Sequence, residues 1–209
     1  MRPTRAKLAR PAVDVAPELL GGLLVSDIGG EPVTVRITEV EAYEGRQDPA
    51  SHAYRGPTKR TAVMFGPAGY LYCYFVYGMH WCANVTCGAG DIAAAVLLRA
   101  GEIVDGRLIA EHRSSPGTPA VKLASGPARL ARCLGLDGSY TGVDLLADTS
   151  PVRLVSLARP AGFERGPRVG ITVAVDHPWR FWLPGEPSVS SFRAGGRTRR
   201  ASNRQTGPL

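Results

Sequence analysis

The stretch from Val33 to Tyr43, VTVRITEVEAY, constrains this chain more than any other segment. Apolar and polar residues alternate in it with a period of two, the pattern of a β-strand with one buried face. A strand of that length cannot stand alone, so it commits the chain to a sheet with a core on one side. Val33, Val35 and Ile37 share the buried face, and the same count carries Glu39, Glu41 and Tyr43 onto it. Two carboxylates then extend an apolar surface just before a turn-rich loop. Burying a carboxylate is costly unless it is paired or used, and partial burial on a rigid element suits a general base. The competing expectation is that the strand runs out into solvent near Glu39 and leaves both carboxylates exposed.

Turn and helix signals divide the rest. Asp14 to Leu20 predicts a short helix, with Pro17 in its first turn and Gly21-Gly22 as its stop. Leu23 to Ser26 reads as a strand, with a turn at Ile28-Gly29-Gly30-Glu31 leading into the long one. Gly69 to Thr86 is aromatic and β-prone and breaks at Tyr77-Gly78, which predicts a hairpin with its tip there. Ile92 to Arg99 suits a central strand, and Ser125-Gly126-Pro127 opens a helix that stops near Gly135. Pro151 to Ser156, Arg168 to Val175 and Trp179 to Leu183 are further expected strands. The sum is an α+β domain around an antiparallel sheet, with a protruding hairpin and flanking helices. At 209 residues the chain suits one core. Residues 1–10 are expected to form a flexible basic arm, 11–192 the domain, and 193–209, rich in Arg, Gly and Ser, a disordered basic tail.

Charge narrows the partner. The net charge is +7, and 22 of the 25 basic residues are arginine, whose planar fork suits phosphate. No apolar run reaches the roughly 18 residues of a membrane span. A cytoplasmic location is the expectation, with Cys73, Cys82, Cys87 and Cys133 as reduced, buried thiols, because their spacing favours neither disulfides nor zinc.

Two further segments carry chemistry. Asp48 to Met64 brings His52, Tyr54, Arg55, Lys59 and Arg60 into one loop, a composition suited to a nucleic-acid backbone or, equally, to a solvated loop. In the hairpin, Tyr70, Tyr72, Tyr74 and Tyr77 crowd together. Tyr70 and Tyr72 fit a packed core. Tyr77, beside the turn glycine, would project from the tip, where an aromatic can wedge between base pairs.

Glu41-Ala42-Tyr43, His52, the run Leu71 to Met79, Asn84, Val96-Leu97-Leu98-Arg99-Ala100, Ser125-Gly126-Pro127 and Arg168-Val169-Gly170 together resemble the alkyladenine (3-methyladenine) DNA glycosylase family. The similarity spans about residues 11 to 192, and the order and spacing of the motifs are far more specific than any one of them; the fold it implies is a single α+β domain with a curved antiparallel sheet. The resemblance implies double-stranded DNA carrying damaged purines as partner, extrusion of the base, and hydrolysis of its N-glycosidic bond by a monomeric enzyme with no metal or cofactor. It makes Glu41 the general base and places Arg99 near the attacking water. Tyr43, His52 and Tyr74 would sandwich the extruded base, Tyr77 would fill the gap in the duplex, and Asn84 would reject the exocyclic amine of guanine. Arg55, Lys59, Arg60, Lys122 and Arg129 are expected to border the cleft as backbone contacts. No lysine falls at a matched pocket position, so a Schiff-base lyase step is not expected.

Two features depart from the family pattern: the Arg55 to Met64 loop is one residue shorter, and His80 stands where an aromatic is expected. A noncatalytic nucleic-acid-binding module of related fold, like that of formyltransferases, is the main competing reading. It would have no use for Glu41 in a phosphate-lined cleft. A small-molecule hydrolase would need neither the wedge tyrosine nor the basic loops.

Overall fold

A computed structural model of the protein describes residues 1–89 and 92–196. Two helices open it, α1 (Arg5–Leu8) and α2 (Ala12–Leu19). In α2 the buried Ala12, Val15, Ala16 and Leu19 recur at helical spacing. Pro17 lies inside the helix rather than in its first turn, denying Val13 an amide partner, and α2 ends at Leu19. Within residues 1–10, Leu8 is fully buried, the Leu157 amide donates to the Met1 carbonyl, and Arg5 donates to Asp144 at 2.7 Å and to the Ala68 carbonyl. An apolar anchor and a charged pair thus join this basic segment to the domain.

The sheet follows. β1 (Leu23–Ile28) and β2 (Glu31–Tyr43) form a hairpin around Gly29-Gly30. β3 (Leu71–Val76) and β4 (His80–Cys87) form a second, in which Tyr77 and Gly78 both have positive φ, 53° and 68°. The glycine tolerates that region freely, and a tyrosine enters it at a cost. β5 (Ala94–Asp105) runs well past the expected Arg99. Helices α3 (Arg107–His112) and α4 (Pro127–Cys133) follow, then β6 (Val152–Ser156), β7 (Glu164–Gly166) and β8 (Arg180–Trp182). The main path is β3-β4-β5-β2-β1-β6, every pairing antiparallel, curled into a half-barrel. β8 pairs with β2 at Glu39 to Glu41, beyond the point where β1 leaves it, and β7 pairs with β8. The architecture is thus the α+β domain with a curved antiparallel sheet and projecting hairpin that the sequence predicts. The expected strand over Arg168 to Val175 is absent; that segment is irregular, and a short strand forms just before it instead.

One irregularity decides which residues face the site. Between β2 and β5, Ile37 pairs with Gly101, Glu39 with Ala100, and Val40 with Leu98, so Thr38 and Arg99 are each left over. These two bulges shift the alternation. The core takes Val33, Val35 and Ile37, then switches to Val40 and Ala42. Glu39, Glu41 and Tyr43 therefore do not continue the core face, as a strict period of two requires. They turn to the other side of the sheet. Gly101 permits the close approach: a Cβ there would lie 2.1 Å from Val35 Cγ1 and 2.8 Å from the Arg36 carbonyl oxygen. The main core, on the helix side, joins α2 and α4 to the even-numbered residues Ala94, Val96 and Leu98 of β5. A smaller cluster of Ala53, Met64, Tyr72, Ala93 and Ala95 lies apart from it, under the loop that follows β2.

Candidate active site

On the side away from the main core, a cavity of about 210 Å³ opens between the hairpin and two irregular segments. Its lining includes Tyr43 from β2, His52 and Met64 from the following loop, Tyr74 from β3, Asn84 from β4, and Val169 to Ile171. They come from five separate segments, and the half-barrel brings them together.

Glu41 lies at the root of this wall and is fully buried. Its Oε1 accepts from the Val169 amide at 2.7 Å and its Oε2 from the Tyr43 hydroxyl at 2.8 Å. Arg99 Nη1 stands 3.2 Å from Oε1. Both hydrogen-bond donors line the cavity, so the carboxylate is held by the walls themselves. A carboxylate offers about four lone-pair sites; these two hydrogen bonds take one on each oxygen, and with Arg99 on the Oε1 side the second site on Oε2 stays open.

Beside it sits a second carboxylate. Glu39 Oε1 accepts from Arg99 Nε at 2.8 Å, Arg180 Nε at 2.7 Å and Ser190 Oγ at 2.9 Å, and Oε2 accepts from the Ser190 amide at 2.7 Å. Burial pushes its carboxyl upward, but Arg99, the Ser190 amide and Arg180 outweigh that and hold it below the usual range. Burial opposes the charge of Arg99, while Glu41 and Glu39 raise its affinity for its proton.

Behind Tyr43 the fully buried pair Arg168–Asp48 makes two contacts, at 2.5 and 2.9 Å, and Arg168 Nη1 also donates to the Ala42 carbonyl. The guanidinium lies over the Tyr43 ring at 4.6 Å and the Trp179 ring at 5.1 Å. Arg168 thereby ties the residue before Val169 to the strand that bears Glu41. Burial, followed by the charge of Glu41, pushes the Tyr43 hydroxyl well above its ordinary value.

The remaining expected site residues separate into two groups. His52 meets Tyr74 edge to face, with centroids 4.6 Å apart at 87°, and its Nδ1 lies 3.1 Å from the Tyr72 hydroxyl. The two rings therefore do not face each other across a gap, and Tyr43 lines the same cavity. Burial first, and Arg60 second, push the imidazole below its ordinary value, toward the neutral ring. Asn84 is buried, and its Nδ2 donates to the carbonyl of Tyr72, its cross-strand partner, at 2.9 Å. Tyr77 is 83% exposed at the hairpin tip, with Phe75 and Met79 exposed beside it. The five expected backbone cations do not line the cavity. Arg55, Lys59 and Arg60 are exposed on its covering loop. Lys122 donates to the Pro187 carbonyl, and Arg129 lines a separate depression with His80 and Arg132.

Sequence reasoning missed Asp48, Arg180 and Ser190, whose contacts here span 120, 141 and 151 residues. The only local signal was the burial demanded by Glu39. All four cysteines are free and buried; the Cys82 thiol is pushed up to about 11, chiefly by burial. Among the described residues no group of three or more His, Cys, Asp or Glu could hold a metal ion, and no helix is long and apolar enough to cross a membrane.

The site thus joins a buried, donor-held carboxylate to a cavity with aromatic walls and an exposed aromatic at the hairpin tip, on a curled antiparallel sheet. The chain belongs to the methylpurine-DNA glycosylase (MPG) family, which it matches over residues 6–187. It is 48% identical over 195 residues to a Streptomyces avermitilis protein named "Putative 3-methyladenine DNA glycosylase", covering 91% of this chain and 92% of that one. A Frankia casuarinae protein of the same name is 50% identical over 203 residues, with 91% and 92% covered. A third, from Burkholderia lata, is 46% identical over 188 residues, with 89% of each covered. The family is one of DNA-repair glycosylases, hydrolases acting on N-glycosyl bonds.

Proposed function

We propose that this protein excises alkylated and deaminated purines, of the 3-methyladenine, 7-methylguanine and hypoxanthine type, from double-stranded DNA, with Glu41 as the general base. The observation that carries the reading is Glu41 itself: fully buried, held by two cavity-lining donors, with one lone-pair site left for a water. The target bond is hidden in the duplex, so the nucleotide rotates out, at roughly a few kcal/mol. Tyr77 takes the vacated space, and Tyr43, His52 and Tyr74 receive the base.

The bond from C1′ to the base breaks with its electron pair going to the base. A ring-alkylated, cationic purine therefore leaves neutral, whereas hypoxanthine leaves as an anion and becomes the free base by taking a proton from water. Positive charge develops on the sugar, as in glycoside hydrolysis, and Glu41 stabilises it. The water oxygen bonds to C1′ while its proton passes to Glu41 and from there to solvent. An abasic site and a free base remain. Arg99 orients Glu41 and the water. The chain's lysines are Lys7, Lys59 and Lys122, and none lines the cavity, which supports hydrolysis without a covalent Schiff base.

The test is Glu41→Gln in a single-turnover assay on duplexes carrying each lesion. An amide cannot take the proton, so excision should fall at least about 10²-fold while lesion binding persists. Excision at the parent rate would sink the assignment.

A further inference from the structure

Glu39 is buried as deeply as Glu41 and holds more donors, yet no step above uses it. Its Oε1 takes the Nε edge of Arg99, which leaves the Nη1 edge of the same guanidinium turned to Glu41 at 3.2 Å. Arg180, 5% exposed, is spent on Glu39 Oε1, the Ser190 carbonyl and the face of Trp182. In strand register Arg180 is the partner of Glu41, but its guanidinium is drawn to Glu39. Ser190 closes the group: its amide and hydroxyl both reach Glu39, and its hydroxyl also accepts from Arg99 Nη2 at 3.2 Å. Two carboxylates and two guanidiniums thus cancel in a buried cluster, with Arg168–Asp48 as a separate neutral pair.

We propose that Glu39 is a positioning residue for base excision: it fixes Arg99 edge-on to Glu41 and, with Arg180, balances the buried charge around the base. The inference rests on Glu41 being the base. Were Glu39 neutral, both guanidiniums would act on Glu41 alone, favouring its ionised form and weakening it as a base. Were Arg180 neutral, Glu39 would be undercompensated and would disfavour charge on Glu41. The other groups facing Glu41 are Tyr43 on its own strand, Tyr74 and Cys82 from the hairpin, and Arg168 behind Tyr43. They are unchanged in either variant.

The experiment is the pH profile of single-turnover excision for Glu39→Gln, Arg180→Gln and the double variant, on a lesion the parent cleaves, with circular dichroism checking the fold at each pH. Glu39→Gln should move the acid limb to lower pH and Arg180→Gln to higher pH, each on the order of one unit, as expected for one charge at close range. The double variant, neutral again, should return toward the parent. Slower rates with an unmoved limb, or limbs moving the same way, would overturn the proposal and leave a purely structural cluster. If Glu39→Gln does not fold, Arg180→Gln and the double variant still decide the sign. Failure of the base assignment is separable, because it shows as excision surviving Glu41→Gln.

Discussion

The two faces of the sheet are built from the same strands and have opposite chemistry. On the helix side, Val33, Val35, Ile37, Val40, Ala42, Val96 and Leu98 pack against Leu19, Leu130 and Leu134 without a charge among them. On the other side, Glu39, Glu41, Arg99, Asp48 and Arg168 are as deeply buried, and each finds an ionic partner. The apolar face gains roughly 25 cal/mol per Å² buried and asks only for volume and shape. The ionic face gains little net stability, because desolvation consumes the Coulombic attraction, and apolar replacements of such pairs are often neutral or better. What it supplies is the placement of atoms. The difference teaches that burial here serves two ends, and the pair of bulges at Thr38 and Arg99 separates them.

That division can be broken experimentally. The largest stability effect should come from the ionic face when one partner goes. Asp48→Ala strands Arg168 and should cost about 3–5 kcal/mol, read as a lower urea midpoint, with excision lost as Tyr43 and Val169 loosen. A loss below about 1 kcal/mol would mean that water already relieves Arg168.

Next is the apolar face. Leu98→Ala removes fully buried methyl groups and should cost about 2–5 kcal/mol. The excision rate per folded molecule should stay at the parent value, because Leu98 faces away from the cavity. A fall in that rate well below the unfolding threshold would show that the faces are mechanically coupled.

Much of this division was legible in the chain, but not where it turns. Period-two alternation located β2, and Tyr77-Gly78 located the hairpin tip, because both are local. The same alternation, counted without interruption, assigned Glu39, Glu41 and Tyr43 to the core face. Only Gly101, a glycine inside an apolar strand of the partner, hinted at the bulges that overturn the count. Arg168 to Val175 looked like a strand from its valines, whereas Arg168 is claimed by Asp48 across 120 residues and the backbone bends to deliver it. Arg5–Asp144, which fixes the arm, spans 139. Such pairings have no period and no neighbouring cue. Residues 197–209, most of the expected tail, lie outside the described residues.

A sharper contrast separates placement from stability altogether. Tyr77 makes no core contact and is almost fully exposed. Tyr77→Ala should therefore leave the unfolding midpoint unchanged and, if its ring stacks within duplex DNA, reduce affinity for an abasic-site duplex by roughly 1–3 kcal/mol. Unchanged affinity by fluorescence anisotropy would remove the wedge from the reading.

The smallest expected effect tests whether one buried side chain serves both ends. Asn84 donates to the Tyr72 carbonyl and lines the cavity, so it holds the hairpin register and shapes the base pocket together. With Nδ2 fixed on the backbone, its amide is a short, rigid obstacle, and a purine bearing a 2-amino group would meet it where hypoxanthine would not. Asn84→Ser shortens that obstacle and also loses the cross-strand bond, worth about 0.5–1.5 kcal/mol. The two consequences differ in kind. Loss of the bond lowers stability and slows every substrate alike. Relief of the obstacle changes the ratio of rates, raising excision of guanine lesions relative to hypoxanthine by a margin set by one small steric change, about 1–3 kcal/mol at most. Measured side by side on the same folded preparation, a raised ratio assigns Asn84 to selectivity. An unchanged ratio with a lower unfolding midpoint returns it to the stability of the hairpin.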